Sequence, residues 1–257
     1  MKALFLLGLV LLASIPQVNA TLGVDVSQLF SQSTYQCMKS SGYNFAIIRG
    51  YCSFGGPDHN AVQSLRNAKG AGLITDIYMF PCRGKSATAQ VDDMMANIDS
   101  SLYGMVWIDI ETNPSSGCSW TGHDANSNCQ FVIDTINRIK SKGKKVGIYA
   151  SRYMWQSIFG SFTACPSVAS QQLWYAHYDG SPSFSDFQPF GGWTKGTIKQ
   201  YQGDTTLCGA GVDKNFYWLI LYDGFDWYDE LIFEWIDIVS MSICRAKLQN
   251  TYKNTIV

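Results

Sequence analysis

Short apolar runs alternate with stretches of helical periodicity along most of this chain. Runs of strand length lie at 23–26, 45–49, 74–80, 105–110, 146–150, 173–176 and 198–201, and a short last strand is predicted around Val212. Helical spacing predicts helices over 29–38, 59–71, 87–98 and 131–142. Three of these helices are followed by a glycine where a left-handed residue can lead into the next strand: Gly42, Gly72 and Gly143.

The order strand, helix, strand repeats along the chain, and the strands are apolar on both faces. This pattern predicts an α/β fold in which helices cover parallel strands. Eight strands in about 200 residues favour a single closed β/α barrel, like a TIM barrel, over an open sheet. An open doubly wound sheet is the alternative. No Gly-rich phosphate loop follows any predicted strand, and this weakens the nucleotide-binding version of that alternative.

Residues 1–20 do not fit the barrel pattern. Lys2 is followed by an uninterrupted apolar run from Ala3 to Ala13 and by small residues before Thr21. These features predict a secretory signal peptide, which is too short to span a bilayer. We therefore expect the mature protein to be secreted, or delivered to a lysosome or phagosome.

The remaining chain divides into a predicted barrel domain, residues 21–217, and an atypical tail, residues 218–257. The domain holds 15 Lys/Arg and 14 Asp/Glu. This near-neutral balance gives no excess of positive charge that would attract nucleic acid or anionic membranes. Acidic residues interrupt the apolar runs of the tail, so it contains no membrane span. We expect the tail to pack poorly or to be an artefact of the gene model, and we expect the protein to be a monomer.

Eight cysteines fit a secretory route, because an oxidising compartment favours disulfides. Their wide spacing, without any Cys-x-x-Cys, argues against a zinc ribbon or a redox pair. Cys118–Cys129 is the pair predicted most readily, since Gly, Ser and Asn between them can turn the chain. Further hypothetical pairs are Cys165 with Cys208 and Cys37 with Cys82. The odd number in the domain leaves at least one thiol free, or paired with Cys244.

Four acids occupy the positions where a β/α barrel places its reactive groups, at the ends of strands. They are Asp25 in the first predicted strand, Asp109 and Glu111 at the end of the fourth, and Asp213 in the last. Residues two apart on a strand share a face, so Asp109 and Glu111 point the same way. The first and last strands of a closed barrel are neighbours, so we expect Asp25 and Asp213 to converge at the same mouth.

Glu111 is the only glutamate between Thr21 and Tyr217. It follows an apolar strand, where burial would raise its pKa and keep it protonated near neutral pH. An ionised Asp109 beside it would act in the same direction. Glu111 is therefore the candidate general acid and Asp109 a charged stabiliser. An Asp-x-Glu more often caps a loop, so the hypothesis also depends on the other two aspartates.

Other catalytic chemistries find less support in the sequence. Three aspartates and a glutamate could hold a hard metal ion, but no acid-rich metal loop is present and the three histidines show no ligand spacing. There is no Gly-x-Ser-x-Gly elbow and no His-Glu-x-x-His. His177 is more readily a surface histidine than a ligand contact. We therefore expect neither a metal nor a cofactor.

Aromatic residues lie along the same strand ends, and flat aromatic faces suit the C–H faces of sugar rings. Trp107 and Phe80 are better interpreted as core residues. The aromatic residues that we predict to bind substrate are Tyr78, Tyr149, Trp174 and Tyr201.

Several motifs occur in an order that points to one family. They are Gly-Val-Asp-Val-Ser at 23–27, Met-Val-Trp-Ile-Asp-Ile-Glu at 105–111, Gly-Ile-Tyr-Ala-Ser at 147–151, Leu-Trp-Tyr-Ala-His-Tyr at 173–178, Gln-Tyr-Gln-Gly at 200–203 and Gly-Val-Asp-Lys-Asn at 211–215. Together they resemble glycoside hydrolase family 25, the muramidases of the Chalaropsis lysozyme type, in a variant like those of invertebrates and amoebae.

The resemblance implies a flattened β/α barrel that hydrolyses the β-1,4 bond between N-acetylmuramic acid and N-acetylglucosamine in peptidoglycan, with retention of configuration. It implies that Glu111 is the acid and that Asp25, Asp109 and Asp213 are the family's aspartates. It leaves open whether Asp109 or the substrate's own acetamido group attacks the sugar. Asn215, at the end of the last motif, joins the expected substrate-binding residues.

One departure concerns strand three, where many members carry a histidine and this chain has Met79 between two aromatics. The polar contact to the substrate that such a histidine would supply is therefore not predicted for this chain. A barrel that binds amino sugars without cleaving them is the alternative function, but such relatives typically lose the acid that Glu111 supplies. A chitinase of another barrel family would carry a further aspartate at position 107, which is tryptophan here.

Overall fold

The computed structural model describes residues 17–221, in which all eight predicted strands are present. The strands are β1 (Gln17–Val26), β2 (Tyr43–Cys52), β3 (Gly56–Pro57), β4 (Ile74–Met79), β5 (Met105–Asp109), β6 (Lys145–Ala150), β7 (Gln172–Ala176), β8 (Ile198–Leu207) and β9 (Ala210–Leu221). Only the two-residue strand β3 was not predicted. Most of the predicted leader, the predicted tail beyond Leu221 and Cys244 lie outside the described residues.

The helices are α1 (Gln32–Ser40), α2 (Ala61–Gly70), α3 (Ala87–Asn97), α4 (Ala125–Ser141) and α5 (Arg152–Phe159). Helix α4 begins before the predicted position because the side chain of Asp124 accepts a hydrogen bond from Ser127 N and caps it. Helix α5 was not predicted, since eight residues give only two turns of periodicity. Its end signals are nevertheless present: Ser151 caps the first turn and Gly160 ends the helix at φ 77°. None of the helices described is long and apolar enough to cross a membrane.

The strands close into a barrel. Their order is β1-β9-β8-β7-β6-β5-β4-β2-β3, and β1 also pairs with β2, which leaves only β3 at the edge. Six neighbouring pairs in the barrel wall are parallel: β1–β2, β2–β4, β4–β5, β5–β6, β6–β7 and β7–β8. The prediction of a closed β/α barrel is confirmed, and the open sheet is excluded.

The direction of the last strand corrects the sequence-based expectation of an all-parallel barrel. Strand β9 is long and runs antiparallel to β8. Only Cys208 and Gly209 separate the two strands, which is too short for a parallel crossover. Both have positive φ, 55° and 73°, as a type I′ hairpin turn requires. Asp213 therefore does not close a strand. It lies near the start of β9, which the reversed direction brings to the barrel mouth.

Alternating side chains separate two apolar layers. One face of β5 sends Val106, Ile108 and Ile110 outward into the layer beneath the helices, as predicted. The other face sends Trp107 into the barrel interior. A Cβ on Gly147 would lie 2.3 Å from the Trp107 ring, so only glycine leaves room for the indole there. The residues that fill the interior are Phe45, Ile47, Trp107, Tyr149, Trp174, Ala176 and Ile198.

Three disulfides join the described cysteines, and they are not the pairs that spacing suggested. Cys118 belongs to the loop after β5, which lies beside the loop after β4, whereas Cys129 is inside α4. The hypothetical pairs fail because the barrel places neighbouring loops, and not neighbouring cysteines in sequence, side by side. The observed pairs are Cys37–Cys208, Cys82–Cys118 and Cys129–Cys165, and Cys52 forms no disulfide with another described cysteine.

We predict that the Cys37–Cys208 disulfide contributes strongly to stability, because it ties α1 to the β8–β9 turn across 171 residues. Replacing both cysteines by alanine should lower the free energy of unfolding by about 2–5 kcal/mol, since the crosslink restricts the unfolded chain. Denaturant unfolding of the oxidised proteins measures the difference. Cys52→Ala is the matched control and should change stability little; an equal loss in both variants would contradict the prediction.

Candidate active site

The four predicted acids meet at the mouth of the barrel. Asp25, Asp109 and Asp213 are strand residues on β1, β5 and β9, and Glu111 follows β5 after one outward residue, Ile110. Electrostatic coupling links these carboxyl groups: Asp25 with Asp213 and Glu111, Asp109 with Asp25 and Glu111, and Glu111 with Asp213. The sequence-based expectation that they converge is thus reproduced in the structure.

A single amide connects the two aspartates from the first and last strands. Gln200, near the mouth end of the parallel part of β8, donates through Nε2 to Asp25 Oδ1 at 2.8 Å and to Asp213 Oδ2 at 3.1 Å. The other oxygen of Asp213 accepts a hydrogen bond from the backbone N of Asp204 at 2.7 Å. Both carboxylates therefore receive donors, which favour their ionised forms.

Asn215 supplies a second donor to Asp25. Its Nδ2 lies 2.7 Å from Asp25 Oδ1, and its Oδ1 accepts a hydrogen bond from Trp174 Nε1 at 2.7 Å. Asn215 and Trp174 were predicted to bind substrate, but they are 0% and 2% exposed. The structure corrects that role: burial removes both from contact with a ligand, and their hydrogen bonds hold Asp25 in place.

Two tyrosine hydroxyls fix the other end of the Gln200 amide. Tyr149 on β6 and Tyr178 just after β7 donate to Gln200 Oε1 at 2.6 and 2.8 Å. The ring of Tyr149 also packs against Trp174, with centroids 4.6 Å apart. Tyr149 is buried, whereas Tyr178 is 58% exposed and presents its ring at the mouth.

Burial and nearby carboxylates raise the pKa of both hydrogen-bonded aspartates. The pKa of Asp25 rises from 3.8 to about 7, first because it is buried and then because Asp213 is near, while the amides of Asn215 and Gln200 act in the opposite direction. The pKa of Asp213 is also raised by burial, and the hydrogen bond from Asp204 N partly offsets this. The hydrogen-bond donors thus limit the rise in pKa that burial and the neighbouring carboxylates cause at these two aspartates.

Asp109 is the most isolated of the four acids. It is 4% exposed, and its Oδ1 has no hydrogen-bond partner among the described residues. Burial raises its pKa well above 3.8, and the nearby Glu111 and Asp25 act in the same direction. The expectation that Asp109 stays ionised beside a protonated Glu111 is therefore corrected, because a buried carboxyl without donors favours its neutral form.

Glu111 is the half-buried acid of the cluster. Its backbone is held from below, since Trp120 Nε1 donates to the Glu111 carbonyl at 2.9 Å and Ile110 N donates to the Tyr149 carbonyl at 2.9 Å. Burial raises the pKa of the Glu111 carboxyl, and the charge of Asp213 raises it further. Glu111 thus combines access to the mouth with a pKa above that of an ordinary glutamate.

Tyr78 completes the wall of the site, and the floor below it is aromatic. Its side chain faces the carboxyls of Asp25 and Asp109, which together with burial raise its pKa well above 10.0. Its ring contacts Trp174 edge to face at 6.2 Å. Trp107 is buried in this floor, as predicted, whereas Phe80 is only partly buried.

Tyr201 was predicted to bind substrate, and the structure places it elsewhere. Gln200 faces the barrel interior, so the next residue on β8 faces outward. The strand is irregular at this point, and the ring of Tyr201 packs 6.2 Å from that of Phe216 while its hydroxyl bonds Tyr43. Tyr201 therefore belongs to the outer layer and does not contact the acids.

The loop that carries Tyr178 is fixed by a buried lysine. Lys199 is fully buried, and its Nζ lies 2.7 Å from both Asp179 Oδ2 and Asp186 Oδ1. His177 Nδ1 contacts Asp186 at 2.5 Å and is 53% exposed, which agrees with a surface histidine. Those two aspartates and His177 could ligate a cation by geometry, but the ammonium of Lys199 already binds both carboxylates.

Gln200 and Tyr178 are the functional residues that sequence reasoning missed. A signal was available for both, because Trp174, Ala176 and Tyr178 alternate along one face, as do Ile198 and Gln200. A polar residue that follows an interior apolar position towards the mouth is a site candidate. Tyr201 was chosen for its aromatic ring, but it lies on the opposite face of β8 from Gln200.

Comparisons with known proteins place this site in a family. The family model described as Lysozyme-like protein 1 matches residues 16–201. The chain is 40% identical over 204 residues to Probable GH family 25 lysozyme 2 of Dictyostelium discoideum, covering 78% of this chain and 92% of that protein. It is 36% identical over 201 residues to Lysozyme-like protein 5 of Caenorhabditis elegans, covering 76% and 90%.

Solved structures agree with this result. The bacterial lysozyme from Streptomyces coelicolor is 26% identical, with a TM-score of 0.65 over 77% of this chain and 91% of that one. A family GH25 lysozyme from Aspergillus fumigatus, 21% identical, shares the fold with a TM-score of 0.65 over 77% and 94%. With the family model and the relatives above, these matches show that the chain belongs to the glycoside hydrolase family 25 lysozymes.

Proposed function

We propose that this protein is a lysozyme that hydrolyses the β-1,4 bonds between N-acetylmuramic acid and N-acetylglucosamine in bacterial peptidoglycan, with Glu111 as general acid. The observation that carries the proposal is the arrangement at the barrel mouth. Glu111 is half-buried, its pKa is raised by burial and by Asp213, and Asp25 and Asp213 lie beside it with donors that favour their ionised forms.

In the first step Glu111 donates its proton to the glycosidic oxygen as the bond from that oxygen to the anomeric carbon breaks. Positive charge then develops on the sugar ring. The carboxylates of Asp25 and Asp213 can stabilise that charge, because they are fixed by amides and need no reorganisation. The electron pair that completes the anomeric carbon comes from the acetamido oxygen of the substrate, or from Asp109 once that carboxyl has lost its proton, and water then releases the product with net retention.

The neutral form of Asp109 reduces the negative charge of the mouth. Four ionised carboxylates in one buried site would repel each other, so the cluster favours retained protons. Asp109 Oδ1 is buried and has no donor among the described residues, so Asp109 is an acid that loses its proton with difficulty. Tyr78 and the exposed ring of Tyr178 flank the space above these groups, where a sugar ring would stack.

The proposed place of action follows from the disulfides and the family. Three disulfides fit an oxidising compartment, and the relatives are named lysozymes. We infer that the protein acts outside the cell or in a lysosome or phagosome, that residues 1–20 direct it there, and that it works as a monomer.

We predict that Glu111→Gln abolishes clearing of a bacterial cell-wall suspension, with a loss in rate of about 10²- to 10⁴-fold, because the amide cannot donate an acidic proton. Circular dichroism and thermal melting should show an intact fold. Asp134→Asn on the outer helix α4 is the control and should clear walls normally. Equal clearing by wild type and Glu111→Gln would end the assignment of Glu111 as the acid, and a wild-type protein that does not clear walls would favour the binding-barrel alternative.

We also predict that Asp25 lowers the stability of the protein at alkaline pH. Its pKa is higher in the folded protein, about 7, than its ordinary 3.8, so the folded state binds its proton more tightly and stability falls as pH rises between these values. Asp25→Asn keeps an oxygen for the amides of Gln200 and Asn215 but removes the charge. Near pH 8 it should unfold with about 2–4 kcal/mol more free energy than wild type.

The same substitution should change stability little at about pH 3 or below, where Asp25 is largely neutral in both states. Denaturant unfolding at the two pH values measures this, and it does not depend on activity. An Asn variant that is less stable than wild type at both pH values would contradict the account of a repelling cluster.

A further inference from the structure

The side-chain amide of Gln200 has all of its hydrogen-bonding positions filled. It is 2% exposed, its two N–H groups are used by Asp25 and Asp213, and its oxygen accepts from Tyr149 and Tyr178. An amide offers two donors and two lone pairs, so all four positions are filled. The side chain therefore connects β1, β6, β9 and the loop after β7 at one point.

The groups at its two ends set which way the amide points. A reversed amide would turn its oxygen towards two carboxyl groups that accept hydrogen bonds when ionised. In the observed orientation Nε2 donates to Asp25 and Asp213, and both tyrosine hydroxyls donate to Oε1. The tyrosines thus hold the amide at its oxygen, and the amide acts on the acids.

Other groups around the two aspartates work against their ionisation. Asp109 and Glu111 face Asp25 from β5, and Asp204 lies next to Asp213 on the other side. The cation Arg49 is committed to Asp58 and to the backbone of Ser27 and faces Tyr78. Several titratable or charged groups from the packed elements surround Asp25 and Asp213. They are Tyr78, which Arg49 also faces, Asp109, Glu111, Tyr149, Tyr178 and Asp204.

We propose that Gln200 is a positioning residue for the reaction: its amide, held at its oxygen by Tyr149 and Tyr178, keeps the carboxyl groups of Asp25 and Asp213 side by side and favours their ionised forms. The proposal rests on the proposed function, in which those charges stabilise the developing positive charge on the sugar. Gln200 also acts indirectly on Glu111, because it binds Asp213 and the charge of Asp213 raises the pKa of Glu111.

The pH profile distinguishes this role from a merely structural one. Without the amide donors, Asp25 and Asp213 gain protons more readily, so the acidic limb of the activity profile moves to higher pH. With less negative charge at Asp213, Glu111 loses its proton more readily, so the basic limb moves to lower pH. A packing defect would lower activity at every pH without narrowing the profile.

The experiment compares two variants with wild type. Gln200→Met keeps the length of the side chain without its hydrogen bonds. The double variant Tyr149→Phe/Tyr178→Phe keeps the amide but removes the two hydroxyls that donate to its oxygen. Gln130→Met on the exposed face of α4 is the matched control. Release of reducing ends from soluble peptidoglycan fragments gives kcat and KM across the acidic and neutral range.

We expect kcat of Gln200→Met to fall by roughly ten- to a hundredfold, since hydrogen bonds to charged groups are lost, while KM changes by less than about threefold. Each limb should move inward by about one pH unit. The double tyrosine variant should narrow the profile in the same direction, and Gln130→Met should match wild type. Wild-type limbs in a folded Gln200→Met protein would overturn the proposal; if that variant does not fold, wild-type limbs in the tyrosine variant would do so.

A second measurement separates this proposal from the proposed function. Carboxyl-carbon NMR of protein labelled at aspartate follows the titration of Asp25, identified by its loss in Asp25→Asn. The midpoint should lie higher in Gln200→Met than in wild type, and an unchanged midpoint would overturn the role of Gln200. If wild type does not cleave peptidoglycan, the proposed function fails while this titration still decides what the amide does.

Discussion

Repulsion among four carboxyl groups in a largely buried barrel mouth is the constraint on which the rest of the site depends. Burial alone would remove their charges, and charge alone would push them apart. The protein supplies hydrogen-bond donors to some of these acids and not to others. Asp25 and Asp213 receive amide and backbone donors, whereas the buried Oδ1 of Asp109 receives none from the described residues. Burial therefore raises the pKa of each of these acids, and the donors limit that rise at Asp25 and Asp213.

Barrel closure is what creates this cluster. Strand β1 pairs with both β2 and β9, so a residue from the beginning of the domain meets one from its end. The antiparallel direction of β9 is part of the same arrangement, because a tight turn at Cys208 and Gly209 returns the chain at once and keeps Asp213 at the mouth. The disulfide from Cys208 to Cys37 holds that turn against α1.

Strand periodicity made much of this predictable. Asp25, Asp109 and Glu111 could be identified because strand ends of a parallel barrel share one edge, and the apolar runs located those ends. Long-range details were not accessible in the same way. The disulfide partners depend on which loops lie together, and the direction of β9 depends on a two-residue turn that composition does not reveal.

The assignment of Tyr201 instead of Gln200 has a different cause. The choice between them depends on which of the two residues faces the barrel interior. An irregularity of β8 follows directly after Gln200. Likewise Trp174 and Asn215 were correctly associated with the acids but not with their role, since only the three-dimensional packing shows that both are buried beneath them.

The central claim is that this cluster keeps a proton on Glu111. The most direct test is carboxyl-carbon NMR of protein labelled at glutamate, with the Glu111 signal identified by its absence in Glu111→Gln and followed from acidic to alkaline pH. The account predicts a titration midpoint clearly above the ordinary glutamate value of 4.5, and a lower midpoint in Asp213→Asn because that charge contributes to the shift. A midpoint at or below 4.5 in the wild-type protein would contradict it.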